Sequence, residues 1–540
     1  MSRTNLTAAL LVALGATMST SALAGSVLSV NAGHLGKARP VELASNLNLG
    51  IGASFQATRS QVVTQRGTVK TREQQIFNGV PIYGRTVVVE RDGAGNVLSV
   101  RGVAEKNIGT DLASVTPKLS AAQAQAAVLK ARGVPAGLAP TDEKAELFVY
   151  PATSGAKARL VYLVSYVLDS GNGASRPTAF VDANSGQIIA QWEGITSGRL
   201  PTPTPATNVN VEAAGIGGNA TVGSYFYGDG GTGHDPLQVQ RNGLTCYMQN
   251  DRIVTYNMAG GTARGVVWSF PCAKAPYASS GDSINGGFSP INDAHHFGGV
   301  VHDMYTEWFG APPLINPDGS EMKLVMRVHY GVNYGNAFWN GTSMTFGDGN
   351  GVNVEPFVML DVTGHEISHG FTGQHSGLEY TGQSGGMNEA FSDMAGEAVK
   401  FFDRGSNDFL VGADFIVPGT VAPGGLAALR DMCTPSRDGS SIDTADEFTA
   451  DMDPHYSSGA YNRAFCVLAK TEGWNTRKAF EVFHDANAVA WQPDETFDGG
   501  ACGVEQAATD RGYNAADVTA AFDAVKVECK PIALSGGSIR

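Results

Sequence analysis

Five residues, His365-Glu366-Ile367-Ser368-His369, restrict this chain more than any other segment. On an α-helix, residues four apart share a face, so both imidazoles reach one metal ion while Glu366 stands beside them, against a metal-bound water. A catalytic zinc needs a third protein ligand and leaves its fourth position to water. Downstream, Asn388-Glu389-Ala390-Phe391-Ser392-Asp393 offers Glu389 as that ligand. Asp393, four residues further on the same helix, is placed to bond the outer nitrogen of His365 and fix its tautomer. In isolation the five residues also suit ordinary helix histidines beside a solvated glutamate. The carboxylate pair makes the metal reading the better one.

Several separated blocks extend the pattern. They include Asn336-Ala337-Phe338-Trp339-Asn340-Gly341, Gly347-Asp348-Gly349, residues 361 to 373, residues 382 to 397, Pro435-Ser436-Arg437-Asp438-Gly439 and His455-Tyr456-Ser457-Ser458-Gly459. On these blocks, the stretch from Asn336 to Lys530 resembles the thermolysin family of zinc metallopeptidases, and its elastase-like branch in particular. The resemblance implies an α+β, two-lobed catalytic domain, with a β-rich N-terminal lobe, an α-helical C-terminal lobe and the active-site helix between them. An α+β propeptide precedes it. Zinc would be held by His365, His369 and Glu389, with Asp393 behind His365. Glu366 would be the general base, Tyr380 and His455 the oxyanion donors, and Asp453 the carboxylate that orients His455. Asn336 and Ala337 would lie on an edge strand that pairs with the substrate main chain. Arg430 would hold a substrate carbonyl. Val362, Val411 and Leu429 would line a pocket for a bulky apolar residue after the cleaved bond. Calcium is implied at Asp361, Glu397, Asp408 and the carbonyl of Leu410, since hard oxygen ligands suit that ion. Lys400, however, stands where the family has another carboxylate, and an ammonium group there would displace or weaken the ion.

The N-terminal end reads as an export signal. Arg3, an apolar run from Leu6 and the small-residue pattern Ala22-Leu23-Ala24 give a signal peptide over residues 1–24. An uncleaved anchor is the weaker alternative, because the run is short and interrupted by Thr7 and Gly15. Residues 25–118 resemble the first part of the family's propeptide and residues 119–200 its second, PepSY-like part. Alternating runs near residues 85–90 and 159–164 predict strands, residues 120–132 a helix, and Asp92-Gly93 and Asn184-Ser185-Gly186 turns. Pro201-Thr202-Pro203-Thr204-Pro205 is a semi-rigid linker within a processing region, 201–210. The catalytic lobes follow over 211–360 and 361–540, and Val211-Glu212-Ala213-Ala214-Gly215 resembles the mature N-termini of the elastase-like branch, which implies a mature chain starting near Val211.

A chain of 540 residues that is 42% hydrophobic holds more than one domain and sizeable cores. Its net charge of -14 argues against a nucleic-acid partner. Six cysteines, an even number, suit an oxidising compartment. By resemblance Cys246 pairs with Cys272 and Cys502 with Cys529. Cys433 and Cys466 remain, and a third bridge between them is expected, since free thiols would be out of place in a secreted protein. The resemblance implies a secreted, monomeric zymogen, acting on protein and peptide substrates, with its own propeptide as folding aid and inhibitor and no membrane association after signal removal.

Two competing readings have definite signatures. His375 lies six residues after His369, the metzincin spacing, but position 372 is Thr where that motif needs a turning glycine. A non-catalytic binding protein on a peptidase scaffold would have lost Glu366, a zinc ligand or His455. None is lost.

Overall fold

The computed structural model describes residues 26–134, 140–151, 157–169, 174–194, 209–228, 234–263, 265–272, 279–422 and 424–530. The expected signal peptide and most of the processing region lie outside these. No described helix is long and apolar enough to cross a membrane.

The N-terminal unit is built on a ten-stranded sheet. Strands Ser26–Gly36, Val69–Phe77, Val80–Arg91 and Val97–Lys106 belong to its first half, and Thr141–Tyr150, Arg159–Asp169, Pro177–Asp182 and Ile188–Glu193 to its second. The halves join through one parallel pairing, Ile82 with Val149. Each has its own core, Leu28, Leu43, Phe55, Val87 and Val100 in the first, Val128, Val149, Leu160 and Tyr166 in the second. The helix Ala121–Ala131 starts where the sequence predicts it, because Ser120 accepts from the Gln123 amide in a capping box. Asp92 bonds the amides of Ala94 and Asn96 and closes the turn between two paired strands.

The C-terminal unit includes strand Val209–Asn219, in a six-stranded sheet. A five-stranded sheet follows, with strand Ala337–Trp339 at its edge, paired only to Met344–Phe346. Between the sheets runs the helix Pro290–Phe309, which the Gly- and Tyr-rich composition of this lobe does not advertise. Its apolar residues Ile291, Ala294, Phe297, Val301 and Met304 are fully or almost fully buried, so packing rather than local propensity holds it. The second lobe is helical, around Phe391, Phe465, Phe480, Phe483 and Trp491. One continuous apolar core serves both lobes. Three disulfides, Cys246–Cys272, Cys433–Cys466 and Cys502–Cys529, fasten it.

The N-terminal unit docks on the helical lobe through polar groups. Helix Thr476–Asp485 runs into a π-turn, Ala486–Ala490, in which the Ala486 carbonyl accepts from the Trp491 amide. Arg72, 2% exposed, donates to the carbonyls of Trp491 at 2.6 Å, Asn487 at 3.2 Å and Ala488 at 3.4 Å. Lys70 pairs with Asp510, Thr86 bonds Gln492 and Tyr83 donates to Glu379 at 2.7 Å. Replacing Arg72 by Met keeps most of its volume and strips three buried carbonyls of their donor. Once the chain is cut between the two units, Arg72→Met is expected to weaken their association by about 10- to 100-fold, from ~1.5–3 kcal/mol for bonds to a charged donor. Gel filtration of the cut protein measures this, and co-elution as tight as wild type would refute it.

Candidate active site

Two helices build the site. Leu360–Gln374 carries His365, Glu366 and His369, and every residue from Leu360 to Thr372 is buried. It ends where Gly377, at φ +65°, lets the Gly377 amide return to the Thr372 carbonyl. Gly382–Arg404 carries Glu389 and Asp393 and is capped by Gly405 at φ +71°. The helices touch at glycines. A Cβ on Gly396 would lie 2.6 Å from the Asp361 carbonyl oxygen, and one on Gly364 would lie 3.2 Å from the Cα of Gly396. A Cβ on Gly370 would lie 2.9 Å from the ring of Trp339, so the edge strand seats against the same helix.

This approach brings His365, His369 and Glu389 together, with one ligand atom from each within 4.8 Å of the others. The Nε2 atoms of the two histidines are 3.0 Å apart, and Glu389 oxygens lie 3.5 Å from His365 and 3.4 Å from His369. Tetrahedral zinc with bonds of about 2.0–2.1 Å spaces its ligand atoms by roughly 3.3 Å, so the donor set fits that ion. The outer nitrogens fix the tautomers. His365 Nδ1 donates to Asp393 at 2.9 Å, and His369 Nδ1 to Asn388 at 2.8 Å, so both Nε2 lone pairs face inward. Two such lone pairs beside a carboxylate repel one another unless a cation lies between them.

Asp393 is fully buried and anchors a network. Besides His365 it accepts from Arg430 at 2.8 and 2.6 Å and from Asn462 at 2.8 Å. Burial alone would raise its pKa, but Arg430 and His365 outweigh that and hold it far below the usual range. Two of Arg430's donor nitrogens are therefore committed to Asp393. Glu366 accepts from the Trp339 amide, while its Oε2 is buried without a partner. Burial, with the nearby Glu389 charge adding to it against His365, pushes Glu366 up to about 7. Burial acts the same way on Glu389, yet His455, His369, His365 and Arg430 together bring it down to about 2.

Tyr380 donates to Glu389 Oε1, and His455 Nε2 stands 3.4 Å from Glu389 Oε2. His455 Nδ1 bonds Asp453 at 2.8 Å. Burial opposes a charge on that imidazole, but Glu389 and Asp453 hold its pKa above the usual value. Asn336 is exposed and Ala337 lies on the edge strand beside the site. Val362 and Val411 are buried in the core, and the Leu429 amide bonds the Val411 carbonyl. His375 is elsewhere. Its ring stacks on Phe371 at 3.9 Å and its Nδ1 meets the Phe371 carbonyl, so it is half-buried rather than a surface residue, and the metzincin arrangement is not formed. Sequence reading assigned nothing to Asn388, Ser392 or Asn462. Adjacency to Glu389 was the available signal for Asn388, and Ser392, 3.1 Å from His369, lay in the same quoted segment. Asn462 comes from a distant helix and has no local signature.

Lys400 stands among the residues expected to hold calcium, Asp361, Glu397, Asp408 and Leu410. Lys400, 1% exposed, places its ammonium 2.9 Å from Glu397, beside Asp408, 3.7 Å from Asp361 and 3.4 Å from the Leu410 carbonyl. Burial disfavours that charge, but the three carboxylates outweigh it and raise the lysine pKa further. Glu397 Oε2 is taken by Asn407 and the Phe409 amide, and Asp361 by the amides of Val362 and Gly412. These residues do not fit calcium, which needs six to eight free oxygen ligands.

Fold and site together define a zinc metalloendopeptidase made with a propeptide. The family models for the thermolysin metallopeptidase catalytic domain and its α-helical domain match residues 222–373 and 376–527. Models for the fungalysin/thermolysin propeptide motif and the PepSY propeptide domain match 53–102 and 118–192. The chain belongs to the thermolysin family of metallopeptidases. It is 43% identical to the hemagglutinin/proteinase of Vibrio cholerae over 88% of this chain and 73% of that protein. It is 40% identical to the neutral protease of Vibrio proteolyticus over 96% of this chain and 80% of its relative. A zinc metalloproteinase of Legionella pneumophila is 36% identical over 84% and 85%.

Two changes test the geometry. Gly396→Ala forces a methyl against the Asp361 backbone, costing about 1–3 kcal/mol, and is expected to weaken zinc retention against a chelator along with Tm. Undiminished retention would show that the helices have slack. In calcium-free, zinc-loaded protein, added calcium is expected to leave the wild-type Tm unchanged but to raise that of Lys400→Ala by about 4 °C, from ~2.7 kcal/mol at a hundredfold excess over Kd. A calcium-dependent rise in the wild type would overturn the lysine assignment.

Proposed function

We propose that this chain is a secreted endopeptidase that cleaves polypeptides before bulky apolar residues, using Glu366 as general base. The observation that carries the reading is the buried, unpartnered Glu366 Oε2 beside the His365, His369 and Glu389 donors. Zinc held by those three residues supplies Lewis-acid polarisation of the scissile carbonyl and acidifies a bound water. Glu366 takes the water proton and passes it to the leaving amine; a pKa near 7 suits both halves of that exchange. Tyr380 and His455 donate to the developing oxyanion, with Asp453 keeping the His455 ring oriented and charged. The edge strand Ala337–Trp339, with Asn336 leading into it, pairs with the substrate backbone. Arg430 acts first by positioning Asp393, and a remaining donor takes a substrate carbonyl. Val362, Val411 and Leu429 shape the apolar pocket.

Residues 1–24 serve as export signal and 201–210 as the region of self-cleavage, the mature enzyme starting near Val211 and working as a monomer. The three disulfides support an oxidising destination. The docking of Tyr83 on Glu379, next to Tyr380, supports a propeptide that restrains the active-site wall until it leaves. The acidic net charge supports peptide rather than nucleic-acid partners.

Glu366→Gln is expected to lower casein hydrolysis by about 10²–10⁴-fold with zinc content unchanged. Glu389→Ala is expected to lose the zinc itself, and a chelator to abolish wild-type cleavage. Chelator-resistant cleavage, or full zinc content in Glu389→Ala, would sink the assignment, and no cleavage by the processed wild type would favour a binding protein. N-terminal sequencing of products and of the mature chain checks the specificity and the processing site.

A further inference from the structure

Away from the active site, three residues from separate elements converge. His296 sits in the second turn of helix Pro290–Phe309, Asp403 in the last turn of helix Gly382–Arg404, and His234 beside strand residue Tyr227. One ligand atom from each lies within 4.8 Å of the others. Asp403 is fourteen residues beyond Glu389 on the same helix, so this cluster is about 21 Å along the axis from the active site.

The two imidazoles are half-buried and held by aromatic packing. Their rings are 5.0 Å apart, and both pack on Tyr227, His296 at 4.7 Å and His234 at 5.5 Å, with Tyr225 4.6 Å from His234. The backbone of His234 is pinned on both sides, by the Gly228 amide and the Phe226 carbonyl. Among the described residues, neither ring has a hydrogen-bonding partner. Elsewhere in the same lobe a buried histidine shows the contrasting solution. His329 bonds Asp348 at 2.7 Å and Asp282 at 2.5 Å, and these carboxylates outweigh its burial and raise its pKa to about 9. His296 goes the other way, burial lowering it to about 3, and burial lowers His234 too. Both rings are therefore neutral at neutral pH, the form that binds metals.

The third ligand adds an independent argument. Asp403 places a negative charge at the C-terminal end of a helix, where the helix dipole disfavours it. Its neighbour Arg404 is bonded to Asp414, and Asp403 has no ion pair among the described residues. A cation on Asp403 would relieve that repulsion. Two imidazoles and one carboxylate form a borderline donor set, suited to zinc, cobalt, nickel or copper and unsuited to calcium or magnesium.

We propose that His234, His296 and Asp403 form a second transition-metal site, of the zinc class, that ties the N-terminal lobe to the far end of the active-site glutamate's helix. The ion is structural there. Its ligands come from elements of both lobes, so occupancy fastens the lobes together.

The test is zinc stoichiometry of the processed enzyme, equilibrated in buffered micromolar zinc and measured by elemental analysis. Roughly two zinc per chain are expected in the wild type. His296→Phe, which preserves the aromatic packing, and Asp403→Asn, which alters only an exposed group, are each expected to bind close to one and to keep peptidase activity. Glu389→Gln is expected to keep the second ion while losing the first, so failure of the active-site reading and failure of this one separate. For the wild type, cobalt titration should show two classes of site, the weaker losing at least about 10-fold in affinity in either peripheral variant. One zinc per chain in the wild type, or a second zinc that survives both His296→Phe and Asp403→Asn, overturns the proposal.

Discussion

Everything in the active site depends on how closely two helices approach at Gly364 and Gly396. His365 follows Gly364 directly, and Asp393 precedes Gly396 by less than one turn, so the contact that lets backbones meet also sets the reach of ligand and carboxylate. With 2.6 Å between a hypothetical Cβ and the Asp361 carbonyl, no larger residue fits without moving one helix. Zinc geometry tolerates displacements of only tenths of an ångström. Backbone packing, rather than any side-chain choice, therefore fixes the metal distances, and the hydrogen bonds of Asp393 and Asn388 then fix ring orientation.

The two docking surfaces in this chain differ in kind. The lobes of the catalytic unit share one apolar core, which commits them to folding together. The propeptide keeps separate cores and meets the helical lobe largely through Arg72, Lys70, Thr86 and Tyr83. An apolar interface of that size would leave a sticky patch on the enzyme after the propeptide departs. Carbonyls and carboxylates, if uncovered, would be hydrated instead, leaving an ordinary wet surface.

What was legible in the sequence was local or followed a helical period. His365, Glu366 and His369 are readable because four residues make about one turn, and Glu389 with Asp393 for the same reason. The capping box at Ser120 and the turn at Asp92 are equally local. Long-range geometry was not legible. Arg430 reads from sequence as a substrate contact, but its bidentate bond to Asp393 depends on how the short strand Arg430–Asp431 lies against the helix. Asn462 and the helix Pro290–Phe309 depend on tertiary packing in the same way. Lys400 could be seen as a departure from a carboxylate site, yet only the structure shows its ammonium among all four of the groups that calcium would have needed.

The helix Gly382–Arg404 links these observations. Glu389, Asp393, Gly396, Lys400 and Asp403 fall at intervals of four, three, four and three residues, which places them on one stripe of an α-helix. That stripe carries four ionisable side chains, an arrangement that burial penalises unless each buried charge is matched. Matching proceeds position by position. Glu389 faces the histidines of the zinc site, Asp393 has Arg430 and His365, and Lys400 has Glu397 of the same helix. Asp403, exposed at the end of the stripe, has two imidazoles and no cation beside it, and the convergence of those three donors is what points to a metal there.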